Sequence, residues 1–187
     1  MLYCALVHHP VRARDGSAVT TAITNLDVHD IARSARTYGL AGYFLVTPIE
    51  AQHLLAKRIL DHWRTGAGAR RVPERTDALS LVRIVASIAD ARDAIDSPYV
   101  VATAARAVEG IATRSFEEER ARFAAARAPT LLLFGTGHGL TDDTLRSADA
   151  VLPPITGPGG YNHLSVRAAA AITLDRLRGK LGTGWTG

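Results

Sequence analysis

Short apolar segments of strand character alternate with longer segments of helical periodicity along this chain. Parallel strands need a crossover between them, usually a helix, so a regular succession of strand and helix favours a parallel sheet. We therefore predict an α/β fold with a mostly parallel sheet flanked by helices. The expected strands are 2–7, 42–46, 81–85, 99–103, 130–134 and 150–152, the expected helices are 27–38, 49–63, 89–95, 115–127 and 163–180, and 66–77 is expected to be a loop.

The length is that of one globular domain, which we expect to span residues 1–187. No apolar run approaches the roughly 18 residues that a membrane-spanning helix needs, so no membrane partner is expected. Cys4 is the only cysteine. A lone cysteine cannot form an internal disulfide, and this composition fits a reducing, cytoplasmic setting.

The basic residues, which give a net charge of +4, are almost all arginine, because Lys57 and Lys180 are the only lysines. Guanidinium groups form bidentate contacts with phosphate and stack on bases, so an RNA or DNA partner is compatible with this composition. A GC-rich genome also yields a chain rich in alanine and arginine. The charge alone therefore does not decide the partner.

Segments of small or special residues follow three of the expected strands. They begin at Thr103, Gly135 and Pro153, and the second reads Gly-Thr-Gly-His-Gly. In open α/β sheets, ligands bind outside the carboxyl ends of the strands. Glycine lets the backbone approach a ligand closely and offer its amides and carbonyls. Such a site suits an adenine ring or a small cofactor better than a highly charged triphosphate.

Other kinds of site fit the sequence less well. The second segment is neither Gly-x-Gly-x-x-Gly nor a Walker sequence, and a nicotinamide-binding fold places its glycines after the first strand. The histidines show no metal-ligand spacing on one element, so no metal site is predicted. Ser165 lies near His163 but lacks the Gly-x-Ser-x-Gly elbow of a nucleophile. Capping of the last helix by Asn162 or Ser165 is the simpler alternative.

The first expected helix carries His29, Arg33 and Arg36 at spacings of four and three residues, so these side chains share one face. Val28 and Ile31 point to the opposite side and are expected in the core. A cationic face of this kind is either simply solvated or grips a phosphate backbone. In the second case Arg33 can point into a reaction centre.

The last expected helix is apolar on two adjacent sides, which usually means that both sides are buried. One side can cover the sheet, and the other favours a second copy of the chain, that is, a homodimer. Burial of both sides within a monomer is the alternative. The first side consists of Val166, Ala169, Ala170, Leu174, Leu177 and Leu181, and the second of Leu164, Ala168 and Ile172.

Three segments together resemble the motifs of the SPOUT superfamily of RNA methyltransferases. Residues 25–39 resemble the first motif, with Arg33 in the place of its functional arginine. Residues 134–140 resemble the glycine-rich second motif, and residues 152–177 resemble the third. The resemblance covers nearly the whole chain and is closest to small bacterial members that consist of little beyond the knotted domain.

The resemblance implies a C-terminal trefoil knot that binds S-adenosylmethionine mainly through the backbone of three loops. It implies methyl transfer to rRNA or tRNA by a homodimer in which Arg33 approaches the site of the other subunit. The ribose and the base both remain open as targets, since Thr136-Gly-His138 stands where ribose-methylating branches carry a glutamate. A non-catalytic RNA-binding or regulatory dimer that retains the knot is the alternative function.

The resemblance also implies a set of site residues. Arg33, Asn162 and Ser165 are the candidates for catalysis. An arginine stays protonated and is a poor general base, so Arg33 is expected to position phosphate or acceptor. The candidates for cofactor binding are Thr103, Ala104, Gly135, Thr136, Gly137, Gly139, Leu140, Ile155, Gly157, Tyr161, His163, Leu164 and Val166.

Overall fold

The computed structural model describes residues 1–180, which form a central sheet with helices on both faces and a small hairpin. The strands are β1 (Leu2–Val7), β2 (Val11–Arg12), β3 (Ala18–Val19), β4 (Gly42–Val46), β5 (Val82–Val85), β6 (Tyr99–Thr103), β7 (Thr130–Gly135) and β8 (Ala150–Leu152). The helices are α1 (Asn25–Thr37), α2 (Glu50–Arg64), α3 (Ala67–Arg71), α4 (Pro73–Leu79), α5 (Ile88–Asp93), α6 (Phe116–Ala125), α7 (Asp142–Arg146) and α8 (Val166–Arg178).

Six strands form the central sheet in the order β5-β4-β1-β7-β6-β8, and the paired strands run parallel. β1 lies in the interior, where Cys4 pairs with Tyr43 of β4 on one side and with Leu132 of β7 on the other. The predicted α/β fold with a mostly parallel sheet is confirmed. Because the strands point the same way, the segments after β6, β7 and β8 leave the sheet at one edge. The trefoil knot implied by the resemblance stays a prediction.

Alternate residues of each strand enter two hydrophobic layers, one on each face of the sheet. In β1, Leu6 belongs to the layer covered by α1, α2, α4, α6 and α8, and Val7 belongs to the layer covered by α5 and α7. Strands buried on both faces have nearly continuous apolar sequences, as in residues 131–134. Helices α1 and α8 consequently lie on the same face and pack against each other.

Two helix starts differ from the sequence prediction. Thr24, not Asp27, caps α1, because the Thr24 hydroxyl accepts a hydrogen bond from the Asp27 amide at 3.2 Å. Ser165 caps α8 by accepting from the Ala168 amide at 3.2 Å, so this helix begins at Val166 and not near residue 163. In both cases the hydroxyl side chain fixes the start of the helix by accepting a hydrogen bond from an amide of its first turn.

The prediction that residues 66–77 form a loop is wrong, since they form α3 and most of α4. Pro73 occupies the first turn of α4, where its missing N–H costs no helical bond. The α4 helix packs on Trp63 of α2. The Arg75 guanidinium lies 4.5 Å from the indole ring centre, and the Thr76 hydroxyl donates to the Trp63 carbonyl at 2.8 Å. These contacts are tertiary, so the local composition of the segment could not predict them.

The two sides of α8 differ in burial. Leu174 and Leu177, from the first apolar side, are buried in the core. Ile172, from the second side, is partly exposed, and Leu164, just before the helix, is 46% exposed. Leu181 lies outside the described residues, as does the end of the predicted domain 1–187.

Candidate functional site

A cavity of about 690 Å³ lies at the carboxyl edge of the sheet. Sites for small organic ligands and cofactors typically measure about 300–1,000 Å³. Its walls come from the loops after β6, β7 and β8, from the start of α8, and from the segment around the β2–β3 hairpin and α1. The residues around it are Arg12, Thr21, Ala22, Thr24, Asp27, Thr103, Ala104, Ala105, Arg106, Phe116, Phe134, Gly135, Thr136, Gly137, His138, Gly139, Leu152, Pro153, Ile155, Asn162, His163, Leu164, Ser165, Val166, Arg167, Ala169 and Thr173.

The glycine loop (residues 135–139) makes a tight turn that depends on its glycines. Gly137 and Gly139 have φ values of +60° and +95°, a region that side chains disfavour. A Cβ on Gly135 would lie 2.5 Å from the Gly139 carbonyl carbon and would also overlap the Leu140 amide nitrogen. The backbone therefore forms this wall, and a ligand can approach its peptide groups directly.

A buried polar network holds the glycine loop against the end of β1. The Thr136 hydroxyl donates to the Val7 carbonyl at 3.0 Å and is hydrogen-bonded to the Thr21 hydroxyl. The Thr21 hydroxyl lies 3.0 Å from Nδ1 of His8, whose side chain is fully buried. Burial disfavours the imidazolium and lowers the pKa of His8 to about 4, so this histidine is neutral. The network therefore holds the glycine loop in place through hydrogen bonds, with an uncharged His8 side chain.

Asn162 ties the loop between β8 and α8 to the loop after β6. Its amide nitrogen donates to the Ala105 carbonyl at 2.8 Å. Three residues later, the Ser165 hydroxyl oxygen accepts from the Ala168 amide as the cap of α8. Both side chains line the cavity. These two bonds leave the amide oxygen of Asn162 and the hydroxyl proton of Ser165 unused.

The carboxylate of Asp27 joins α1 to α8 beside the cavity. Asp27 is 5% exposed and receives a hydrogen bond of 2.8 Å from Arg167 of α8. The Thr24 hydroxyl donates to its other oxygen at 2.6 Å. Asp30, on the next turn, lies 3.5 Å from Arg167 at a more exposed position. A buried charge is tolerated when it is paired and hydrogen-bonded, so this cluster fastens the start of α1 to α8.

The cationic face predicted on α1 is smaller than expected. His29 is buried, and its ring packs edge-on against Trp63 with the ring centres 5.4 Å apart. Burial lowers the pKa of His29, so it does not add charge to this face. Arg36 pairs with Asp77 of α4 at 2.7 Å. Arg33 is exposed on the helix.

The structure brings most of the sequence-predicted site residues together around this cavity. Arg33 lies outside the cavity of its own chain, and the Leu140 side chain is buried in the core. Gly157 and Tyr161 are exposed and do not line the cavity. The predicted residues that do line it are Thr103, Ala104, Gly135, Thr136, Gly137, Gly139, Ile155, Asn162, His163, Leu164, Ser165 and Val166.

Sequence reasoning considered Arg12 only as a surface arginine for RNA and did not place the hairpin segment or the start of α1 at the cavity. The residues from this part of the chain that line the cavity are Arg12, Thr21, Ala22, Thr24 and Asp27. This segment carries no recognisable ligand motif, and β2 and β3 are too short to show a strand period. Its place depends on hydrogen bonds to the glycine loop, which lies far away in sequence. The run of threonines before α1 was the one local sign of a polar wall.

Neither a metal-binding cluster nor a membrane-spanning helix is found within residues 1–180. No group of three or more His, Cys, Asp or Glu side chains in that range is arranged to hold a metal ion. No helix in the same range is long and apolar enough to cross a membrane. The cavity is thus the strongest candidate site in the described part of the chain.

Known protein families and sequences include clear relatives of this chain. A family model described as SAM-dependent RNA methyltransferase matches residues 1–179. A tRNA (guanine-N(1)-)-methyltransferase from Nitratidesulfovibrio vulgaris (strain Hildenborough) is 48% identical over 190 residues, which cover 95% of this chain and 42% of that protein. An uncharacterized protein from Aquifex aeolicus is 36% identical over 181 residues, which cover 94% of this chain and 87% of that protein. The chain therefore spans less than half the length of the first relative.

Among solved structures, TrmJ from Z. mobilis ZM4 is similar with a TM-score of 0.65 and 17% sequence identity. The match covers 98% of this chain and 72% of that one. At this identity the likeness concerns the fold, and it agrees with the SPOUT-like architecture predicted from the motifs.

Proposed function

Because this chain belongs to the family of SAM-dependent RNA methyltransferases, we propose that it binds S-adenosylmethionine (SAM) in the cavity and transfers the methyl group to RNA. The observation that carries the proposal is the convergence of three strand-end loops on one cavity of about 690 Å³. The proposed acceptor is tRNA or rRNA, and the proposed location of the reaction is the cytoplasm.

The chemistry of the cavity suits this cofactor. The adenine of SAM is uncharged and has an edge that both donates and accepts hydrogen bonds, which peptide groups can match. In our proposal Gly135 and Gly137 bring their backbone to that edge, while Leu152 and Ile155 contact the ring faces. The Gly139 amide and carbonyl already bond Thr136 and Arg12, so Gly139 shapes the wall. All five residues line the cavity. A Cβ at Gly135 would destroy this wall, which is why a glycine is needed there.

The protein's part in the reaction is alignment. When bound, SAM supplies a methyl group that its sulfonium already activates. Holding an acceptor in line can lower a barrier by about 7–11 kcal/mol in favourable cases. Asn162 and Ser165 are the proposed orienting residues, because each retains a polar group that its observed hydrogen bond does not use. Arg33 is assigned to positioning, since a guanidinium is a poor base.

The proposed active form is a homodimer in which Arg33 serves the cavity of the partner subunit. Two observations support this. Arg33 is exposed on α1 and does not line the cavity of its own chain. Leu26 at the start of α1 is 57% exposed and Leu164, in the segment before α8, is 46% exposed, so large apolar side chains lie on the surface near both helix starts. A contiguous apolar patch that includes such side chains is commonly covered by a partner.

The name of the N. vulgaris relative suggests which RNA to test first. That protein is called a tRNA (guanine-N(1)-)-methyltransferase, and this chain matches 42% of it. The named activity can therefore reside in the part of the relative that this chain does not match. We propose tRNA as the first acceptor to test, with ribose oxygens and base atoms as competing targets.

Transfer of a tritium-labelled methyl group from SAM to RNA tests the proposal. The acceptor is total tRNA and rRNA from cells that lack the gene, because their target sites are unmodified. We expect label in the RNA, and mass spectrometry of its nucleosides identifies the methylated atom. The Ala104→Trp variant, which places an indole at the cavity wall, is expected to transfer none. Binding of RNA without any transfer by the unaltered protein would favour a non-catalytic RNA-binding dimer instead.

A further inference from the structure

The β2–β3 hairpin is fastened to the glycine loop through the backbone of Arg12. The Arg12 amide donates to the Gly139 carbonyl at 2.8 Å, and the His138 amide donates to the Arg12 carbonyl at 3.2 Å. The neighbouring Val11 is fully buried and pairs with Leu140. The Cα of Arg12 is therefore held at a fixed place on the cavity wall.

The remainder of the hairpin is held independently of the Arg12 side chain. The Thr21 amide donates to the His8 carbonyl at 2.9 Å, and the Thr21 hydroxyl bonds the Thr136 hydroxyl. In the turn, the Asp15 carboxylate accepts from the Ser17 amide at 3.0 Å and from its hydroxyl at 2.7 Å. These bonds to Ser17 are the main cause of the lowered pKa of Asp15 and engage its carboxylate, and the nearby Arg12 charge lowers that pKa further without forming an ion pair. The hairpin does not need the Arg12 guanidinium to keep its shape.

Three arginines line the cavity, and two of them already have carboxylate partners. Arg167 is paired with Asp27 at 2.8 Å, and Arg106 is paired with Asp142. The Arg12 guanidinium forms no ion pair and no hydrogen bond with any residue of the range 1–180. Within that range, Arg12 is the cavity cation that is free to take an anion from a ligand.

The Arg12 guanidinium lies beside the exposed hairpin turn, where a Cβ on Gly16 would be 3.4 Å from one of its nitrogens. Residues 14–20 around it are all exposed. A cation in this position meets a ligand that arrives from outside. The planar fork of a guanidinium matches the oxygens of a phosphate group.

We infer that Arg12 binds a backbone phosphate of the acceptor RNA and so places the target nucleotide over the cavity. The inference rests on the proposed function, because it takes RNA as the substrate. In this arrangement the backbone of the glycine loop binds the cofactor, and the Arg12 side chain of the hairpin binds the RNA. Because the hairpin is hydrogen-bonded to the glycine loop, the two together would set the distance between the methyl donor and its acceptor.

Binding of unfractionated bacterial tRNA to the full chain, at saturating S-adenosylhomocysteine, measures this contact. Arg12→Ala is expected to raise Kd roughly tenfold, the effect of losing one charge-assisted hydrogen bond. The slope of log Kd against log salt is expected to fall by about 0.7–0.9, as for one phosphate contact. Arg12→Lys keeps the charge but not the planar guanidinium, so its Kd should lie between that of the unaltered protein and that of Arg12→Ala.

Arg14→Ala is the matched control. It removes the same charge from an exposed position of the same hairpin that does not line the cavity. Screening at physiological salt should limit its effect on Kd to less than about twofold. Circular dichroism and thermal unfolding of each variant check that the fold is retained.

If Arg12→Ala and Arg14→Ala weakened tRNA binding equally, the inference would be overturned, because the diffuse positive charge of the hairpin would then explain the binding. Unchanged tRNA binding with weaker binding of S-adenosylhomocysteine, measured by calorimetry, would also overturn it and assign Arg12 to the cofactor carboxylate. An unaltered protein that binds tRNA through Arg12 but transfers no methyl group would support the inference and contradict the proposed function alone.

Discussion

Glycines that look alike in this sequence have different physical roles. At Gly135, a Cβ would meet the backbone of Gly139 at 2.5 Å, and backbone cannot move aside as a flexible side chain can. At Gly159 and Gly160, in the loop before α8, a Cβ would meet no atom within 4 Å. The first glycine is required by the shape of the cavity wall, and the other two tolerate a side chain.

Gly135→Ala is expected to destabilise the protein by about 1–3 kcal/mol, the usual effect of forcing an extra methyl group into a packed site. It should also weaken SAM binding, because the wall has to shift. Denaturant unfolding and calorimetry measure the two effects. Gly159→Ala is the control and should stay within about 0.5 kcal/mol of the unaltered protein. Similar losses in both variants would contradict the role given to Gly135.

The buried His8 predicts a loss of stability in mild acid. Burial lowers its pKa from 6.5 to about 4. The unfolded chain takes up this proton near pH 6.5 while the folded chain stays neutral until about pH 4. The contribution of His8 to the free energy of unfolding is therefore full above pH 6.5 and is lost as the pH falls towards 4.

We expect a loss of about 3 kcal/mol from this group across that range. Denaturant unfolding at several pH values between 4 and 6.5 measures it. His8→Asn cannot titrate but can still donate to Thr21, so it should give a shallower dependence on pH. An equally steep dependence in the variant would show that other groups are responsible.

At the scale of elements, the cavity depends on how α1 is fastened to α8. Asp27 and Asp30 both lie on α1 and both face Arg167, at 2.8 Å and 3.5 Å. The Asp27 side chain is 7% exposed and the Asp30 side chain is 46% exposed. Removing one charge of a buried pair leaves the other charge buried without a partner, whereas the charges of an exposed pair are screened by water. The two positions therefore form a natural comparison.

Asp27→Asn is expected to lower the free energy of unfolding by about 2–3 kcal/mol, somewhat below the value for a fully buried pair because Arg167 keeps some contact with water. Asp30→Asn should change it by less than about 0.5 kcal/mol. Urea unfolding of both variants under the same conditions provides the measurement. Equal effects at the two positions would contradict the fastening role of Asp27.

Elements with a strong local signal could be predicted from the sequence. The expected strand 42–46 coincides with β4 because its side chains are buried on both faces and the segment is apolar throughout. The glycine loop could be found because it combines an unusual composition with a place directly after a strand. Its residues Gly135 and Thr136 do line the cavity.

Elements that depend on distant partners could not be predicted. The helices α3 and α4 lie in a segment whose glycines and arginines favour a loop, and packing on Trp63 decides the outcome. His29 has the spacing of a surface residue but is covered by the same indole. Arg12 reaches the cavity only because its backbone bonds to Gly139. In each case the deciding contact joins segments that are separate in sequence.

At the scale of the whole molecule, the proposed site is divided between two copies of the chain. Each cavity has its own loops, while Arg33 is exposed and does not line the cavity of its own chain. In a symmetric dimer the same surface of both subunits forms the interface, so each copy can complete the other. A site shared in this way predicts that two inactive variants can restore each other.

Arg33→Ala should bind SAM but transfer no methyl group, and Ala104→Trp should keep Arg33 but bind no SAM. Mixing and reassociating equal amounts should restore about a quarter of the normal activity, because half of the dimers are mixed and each has one complete site. Labelled methyl transfer to tRNA measures the recovery. Absence of any recovery would contradict a shared site, and full activity of Arg33→Ala alone would remove Arg33 from the reaction.

Occupation of the cavity by SAM is the step on which the rest depends, and isothermal titration calorimetry of the purified chain measures it. We expect one site per chain with Kd in the micromolar range, about −8 kcal/mol, and no binding by Ala104→Trp. No heat and no rise in unfolding temperature at millimolar SAM, or equal binding by Ala104→Trp, would contradict the assignment of this cavity to the cofactor.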